Sequence, residues 1–211
     1  MKLVRKASAF TLIELLVVIS IIGILATIAI PAINKALVAG QMTGTLANAR
    51  SLQTATTMMS LDTANSGEGL SWTSTNDSTG NSTPVGLQTF LTALTSNNYL
   101  SVAELRKLLT APNIAPQGNN FTSGNIAFNF FQVDSNSPSD QPFVVTANMV
   151  QPKTLDAKKS PYGNKGFVYF TKGGDGGAKT RPSDVTSTNI FPSSGGTGSN
   201  ANDVYYMNFI K

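Results

Sequence analysis

The chain of 211 residues contains no cysteine and no histidine. Those two absences remove thiol nucleophiles, disulfides, CxxC redox chemistry, Cys/His zinc sites and every histidine-based catalytic triad. Charge is also scarce. Asp, Glu, Lys and Arg make up 12% of the residues, against about 25% in an ordinary soluble domain. Neutral polar groups fill the gap, with Ser, Thr and Asn supplying 64 residues. Catalysis would have to rest on carboxylates, Lys, Ser and Tyr, so the composition points away from an enzyme. The net charge of +4 is concentrated at one end. Lys2, Arg5 and Lys6 carry three of those charges, and residues 10–211 hold 12 basic against 11 acidic groups. A near-neutral body without a basic stripe is not a nucleic-acid surface.

What the chain has in excess is one long apolar run. Phe10 to Ile33 reads FTLIELLVVISIIGILATIAIPAI, 24 residues with Glu14 as the only charge. About 20 apolar helical residues cross a bilayer, whereas the core of a cleavable secretory signal is shorter, roughly 7–15 residues. Basic residues precede the run and only Lys35 follows it closely, which places residue 1 in the cytoplasm and residues 35–211 outside it. Glu14 is costly inside such a segment, by roughly 2.5–3.5 kcal/mol on insertion scales, unless it has a partner. Thr11-x-x-Glu14 has the spacing of a capping box, so one partner is the backbone at the start of a helix beginning at Thr11.

The basic leader followed by FTLIELLVVISIIGILATIAIP resembles the class III signal of type IV pilins and pseudopilins over residues 5–35. The resemblance implies that a prepilin peptidase cuts between Ala9 and Phe10 on the cytoplasmic side. It also implies that Phe10 is N-methylated and that the apolar segment is kept as a filament-forming helix. The family usually has Gly before the cut; this chain has Ala9, also small. Glu14 then falls five residues into the mature chain, where the family's assembly glutamate sits. Pairing Glu14 with the Phe10 amine of a neighbouring subunit would offset two desolvation costs together and fix axial register. Intra-chain capping is the alternative role. The expected organisation is a leader over residues 1–9, a transmembrane and filament-core helix over 10–33, and a periplasmic globular domain over 34–211.

Beyond Pro31, which should kink or soften the helix, the apolar residues Val38, Met42, Leu46, Ala49, Leu52, Ala55 and Met59 recur at steps of three and four. That is one face of an amphipathic helix, with Gln41, Thr43, Asn48, Arg50 and Gln53 opposite. Residues 65–84 read as a loop anchored by Trp72. Leu87, Phe90, Leu91 and Leu94 mark a short helix, and Ser101-x-x-Glu104 caps another that stops before Pro112. Strands are expected at Asn125–Val133, Pro142–Val150, Gly166–Thr171 and Asp203–Ile210. The fold class is α+β: a long N-terminal helix packed on a four-stranded antiparallel sheet, the layout of the pilin family.

Two chemical candidates fail on sequence alone. GGDGGAKT at 173–180 has Ala178 where a phosphate-binding loop needs Gly, and Arg181-Pro182 follows in place of a helix. Lys159-Ser160 reads as a solvated turn before Pro161. Calcium is the better candidate, because it takes six to eight oxygens from carboxylates, carbonyls and water. Asp175 sits in a glycine run whose backbone can turn carbonyls inward, and Asp184 and Asp203 add carboxylates in the same region. Ser160-Pro161-Tyr162-Gly163-Asn164, then Gly-Gly-Asp-Gly, then Asn202-Asp203-Val204 resembles the C-terminal run of major type II secretion pseudopilins. Two aspartates of that run help bind calcium in the family, and the resemblance carries them to Asp175 and Asp203.

The expected function is that of a structural subunit polymerising at the bacterial inner membrane, in a type II secretion pseudopilus. Its expected partners are further copies of itself, other pilins or pseudopilins, the prepilin peptidase and the inner-membrane assembly platform. The alternatives are a type IV pilin for adhesion or motility, many of which close a C-terminal disulfide, and a membrane-tethered periplasmic binding protein, which has no use for Glu14.

Overall fold

The apolar run and the amphipathic stripe behind it form one helix, α1 (Leu12–Ser66), in a computed structural model that describes residues 11–67, 69–76, 82–150, 154–186, 190 and 210. Helical structure continues through Pro31, whose missing N–H leaves one turn without its backbone bond. Gly67 ends the helix in the left-handed region (φ 74°), its N–H bonded to the Thr63 carbonyl at 2.8 Å. A residue without a Cβ adopts that conformation at no steric cost.

The chain divides into two units, residues 1–38 and 39–211. In the first, every large aliphatic side chain from Leu12 to Leu37 is exposed, Leu12 by 88% and Ile28 by 73%. The hydroxyls in this stretch turn back on their own helix: Ser20 Oγ donates to the Leu16 carbonyl (2.8 Å) and Thr27 Oγ1 to the Gly23 carbonyl (2.9 Å).

In the second unit α1 buries Met42, Thr45, Ala49, Leu52, Ala55, Thr56 and Met59. This is the expected face, widened by two threonines whose hydroxyls are satisfied. Thr56 Oγ1 donates to the Leu52 carbonyl, and Thr45 Oγ1 shares a 2.6 Å bond with the Tyr162 hydroxyl. The loop after α1 contains a small hairpin, β1 (Ser74–Asn76) with β2 (Ser82–Pro84). Helix α2 (Leu87–Ser96) buries Leu87, Phe90, Leu91 and Leu94. Helix α3 (Val102–Leu108) opens on the expected capping box, Ser101 Oγ accepting the Glu104 N–H while Glu104 Oε2 accepts the Ser101 N–H.

The sheet is an antiparallel meander of β3 (Phe128–Phe130), β4 (Pro142–Thr146), β7 (Phe167–Thr171) and β8 (Gly176–Lys179), in that spatial order. Three of the four strands fall inside expected segments, each shorter than the sequence suggested. The tail of the second segment leaves the sheet to form β5 (Met149–Val150), paired with β6 (Thr154–Leu155). The expected strand Asp203–Ile210 lies outside the described residues except for Ile210. Among the described residues the fourth strand of the sheet is the glycine-rich Gly176–Lys179, which the sequence presented as loop. A 3₁₀ helix follows at Pro182–Thr186.

All five residues of β4 are buried, and Phe143 is the hub of the core. Its ring meets Trp72 at 5.5 Å, Phe130 at 5.7 Å and Phe90 at 6.3 Å, all edge to face, the arrangement that ring quadrupoles favour. Gly166, at φ 145°, lets the chain enter β7: a Cβ there would stand 2.2 Å from the Lys179 carbonyl oxygen and 2.6 Å from Met42 Cε.

Three tyrosines give this unit a defined response to alkali. Burial raises the pKa of Tyr162 and, with help from the Asp175 charge, that of Tyr169; the Asp62 carboxylate that accepts the Tyr99 hydroxyl raises Tyr99. Their folded pKa values stand above the unfolded value of about 10, so their stabilisation is complete below that pH and is lost as pH rises through the folded values. Lys172, pushed down by burial, works in the opposite direction, relieving a penalty as pH rises. The tyrosine contribution therefore predicts a fall in the urea midpoint as pH rises through about 10. Tyr99→Phe should make that fall shallower, and an unchanged midpoint there would contradict the assignment.

Candidate functional site

The start of α1 brings together the residues singled out at the N-terminus. Glu14 Oε2 accepts both the Thr11 N–H (2.8 Å) and the Thr11 hydroxyl (2.7 Å), and the Glu14 N–H donates back to Thr11 Oγ1 at 3.3 Å. The expected capping box is therefore formed within the chain. It orders the first turn and holds a carboxylate at the positive end of the helix dipole. Both bonds to the carboxylate use Oε2, and among the described residues Oε1 takes none. Glu14 is the only acid in the exposed apolar surface of the first unit. Ala9 and Phe10 lie outside the described residues. Residues 12–66 contain a stretch long and apolar enough to cross a membrane.

The C-terminal candidates are placed only in part. Asp175 ends the turn between β7 and β8. Its carbonyl accepts the Thr171 N–H (2.7 Å) and the Thr171 hydroxyl (3.0 Å), and its N–H donates to Thr171 Oγ1 at 3.1 Å. The backbone oxygen of Asp175 is thus committed to the turn. Asp184 lies in the 3₁₀ helix, its N–H bonded to the Arg181 carbonyl at 3.1 Å. Among the described residues no three carboxylates gather into a metal-binding group, and Asp203 lies outside them. The rejected phosphate loop is a strand in the sheet over Gly176–Lys179, and Lys159 and Ser160 occupy a turn.

One organising residue had no signature in the sequence. Lys172 Nζ donates to the Ser135 and Ser137 carbonyls at 2.8 and 2.6 Å and stands 5.6 Å from the centre of the Trp72 ring. Gln53 Nε2 holds the Lys172 carbonyl at 2.8 Å. Lys172, in the β7–β8 turn, thus gathers the Asp134–Ser139 turn through its ammonium and the α1 face that reads as solvent-facing through its carbonyl. Only the fold brings these segments together, since Lys172 is an isolated cation in its own stretch of chain.

Residues 4–30 match the family model described as the prokaryotic N-terminal methylation motif. No curated protein and no solved structure matches the chain.

Proposed function

We propose that this chain, a type IV pilin-like protein by its methylation motif, is a structural subunit that polymerises through its N-terminal helix in a type II secretion pseudopilus. The observation that carries the proposal is Glu14, the single carboxylate in residues 12–37 of α1, where every large aliphatic side chain is exposed. A simple anchor gains nothing from a charge that costs roughly 2.5–3.5 kcal/mol to insert. A subunit that must meet its neighbour in one register gains a specific partner for the neighbour's N-terminal amine. The capping box does not compete with this role, because the Thr11 bonds use one carboxylate oxygen and, among the described residues, the other accepts none. The globular unit would then face the periplasm, with the basic leader on the cytoplasmic side.

Mass analysis of the protein purified from membranes tests the first step. The mature chain should begin at Phe10, carry one methyl group on its amine and retain the whole apolar helix. A start near Ile30 would identify a secreted protein and end the filament reading. Deleting the chain in its host distinguishes the two filament systems. Accumulation of exported proteins in the periplasm supports secretion; loss of surface filaments with secretion intact supports the type IV pilus.

A further inference from the structure

We infer that Lys158, Lys159 and Lys165, in the loop that enters β7, form a docking surface for anionic phospholipid headgroups, an inference that rests on reading the apolar run as membrane-embedded. The near-neutral total of the body hides a division of charge that the fold creates. Antiparallel register puts Phe128, Thr146, Phe167 and Lys179 at one end of the sheet and Phe130, Pro142, Thr171 and Gly176 at the other. Asp134, Asp140 and Asp175 belong to the turns at the second end, where the Gly173 N–H bonds to the Ser139 carbonyl at 2.7 Å. The cation of those turns, Lys172, has its ammonium committed to the Ser135 and Ser137 carbonyls. Basic residues collect at the first end. Lys179 closes β8, Arg181 follows it, and Lys158, Lys159 and Lys165 precede β7. Asp156 and Asp184 are the acids of these segments, and Asp156 Oδ1 accepts the Lys158 N–H at 2.9 Å.

The loop that carries the three lysines is pinned. Pro161 and Tyr162 at its centre are buried, and the Tyr162 hydroxyl bonds to Thr45 on α1. Asn148 Nδ2 donates to the Gly163 and Gly166 carbonyls at 2.7 and 2.8 Å, tying the loop to the end of β4. Lys158, Lys159 and Lys165 are exposed, and among the described residues none of them forms an ion pair. A fixed platform of like charge meets a negative surface without first paying to order its backbone.

Chain order brings such a surface within reach. Thr45, the contact of the loop on α1, follows Ile33 at the end of the apolar run by a helical rise of about 18 Å. A span held in the bilayer keeps the lysines at high effective concentration beside the headgroups, so a weak attraction per lysine suffices. The other negative partner within reach is a second copy, through its Asp134, Asp140 and Asp175. Those acids lie at the opposite end of its sheet from its lysines. Copies inserted the same way present like ends at one level, so lysines there meet lysines, and the lipid is the favoured partner.

Lysine acetylation, followed by mass analysis, tests the docking on the full chain in nanodiscs of phosphatidylcholine, with and without a third of phosphatidylglycerol. Lys172, at the other end of the sheet, is the internal reference. Relative to it, Lys158, Lys159 and Lys165 should react at least threefold more slowly in the anionic discs. The difference should vanish in molar salt, where the Debye length falls to about 3 Å. Equal rates in the two lipids, from a chain that stays in the discs, overturn the docking and leave the membrane reading standing. A chain recovered free of lipid overturns both. Slowing that appears in neutral discs and grows with the number of copies per disc assigns the surface to a second copy and overturns the lipid docking. Hydrogen exchange at residues 162–165 gives a readout without lysine chemistry. It should slow in anionic discs for the unchanged chain and not for the variant combining Lys158→Gln, Lys159→Gln and Lys165→Gln; equal slowing in both overturns the docking.

Discussion

Glu14→Ala is expected to yield a subunit that is cleaved and membrane-inserted but forms few or no filaments. On the proposed reading the cut lies before the helix and is untouched by the substitution, and insertion becomes easier once the charge is gone. On that reading assembly alone loses its partner. Removing one member of a desolvated charge pair costs about 3–5 kcal/mol, a factor of about a hundred to several thousand in each subunit contact. Glu14→Gln separates the two roles of the side chain, because its amide oxygen can still accept the Thr11 N–H while the charge is absent. An assembly defect equal in Gln and Ala assigns the effect to the lost charge. Near-normal filaments in Gln with failure in Ala assign it to the cap. Filament counts by electron microscopy, beside mass analysis of the mature N-terminus, give the readout. Normal filaments from both variants would refute the intermolecular role.

Phe143→Ala should produce the largest loss of stability in the globular unit. Truncating a buried phenylalanine costs about 3–5 kcal/mol, a large share of the roughly 5–15 kcal/mol that holds an ordinary domain together. Phe143 stands at the upper end because three rings, Trp72, Phe90 and Phe130, meet it edge to face. Phe143→Leu keeps most of the volume and forfeits the ring contacts, each worth about 0.5–1.5 kcal/mol, so an intermediate effect is expected. Trp72 is the only tryptophan in the chain and touches Phe143 directly, so its emission reports the core during urea unfolding of the full chain in micelles. A loss in Phe143→Ala below about 1 kcal/mol, the typical cost of an ordinary point substitution, would contradict the placement of Phe143 at the hub.

The features legible in the sequence are those whose cause is local. Spacing of three and four gave the buried face from Met42 to Met59, because a helix repeats its faces with that period whatever packs on it. The two capping boxes, at Thr11 and Ser101, were legible because cap and partner sit three residues apart. Strand β8 was not. Gly176 and Gly177 carry no strand propensity, and their place in the sheet is set by what lies across from them. A Cβ on Gly176 would stand 2.2 Å from Phe170 Cδ2, so the run is glycine-rich because an aromatic ring covers the edge strand. The polar side of α1 misleads for the same reason. Arg50 lies 5.9 Å from the centre of the Phe170 ring and Gln53 holds the turn at Lys172, contacts that exist only once the sheet has folded against the helix.

The hydroxyls of α1 bear on how such a helix could change its surroundings. With Ser20 and Thr27 bonded to the carbonyls one turn back, both hydroxyls between Leu12 and Ile33 are satisfied within the helix wherever it lies. Leaving lipid for a bundle of neighbouring helices then exchanges one hydrocarbon contact for another, and no hydroxyl needs a new partner on arrival. The two environments become nearly equivalent for the side chains between Leu12 and Ile33 other than Glu14. On the proposed filament reading, a small mechanical input would draw the helix out of the bilayer, and the single carboxylate would determine where it stops.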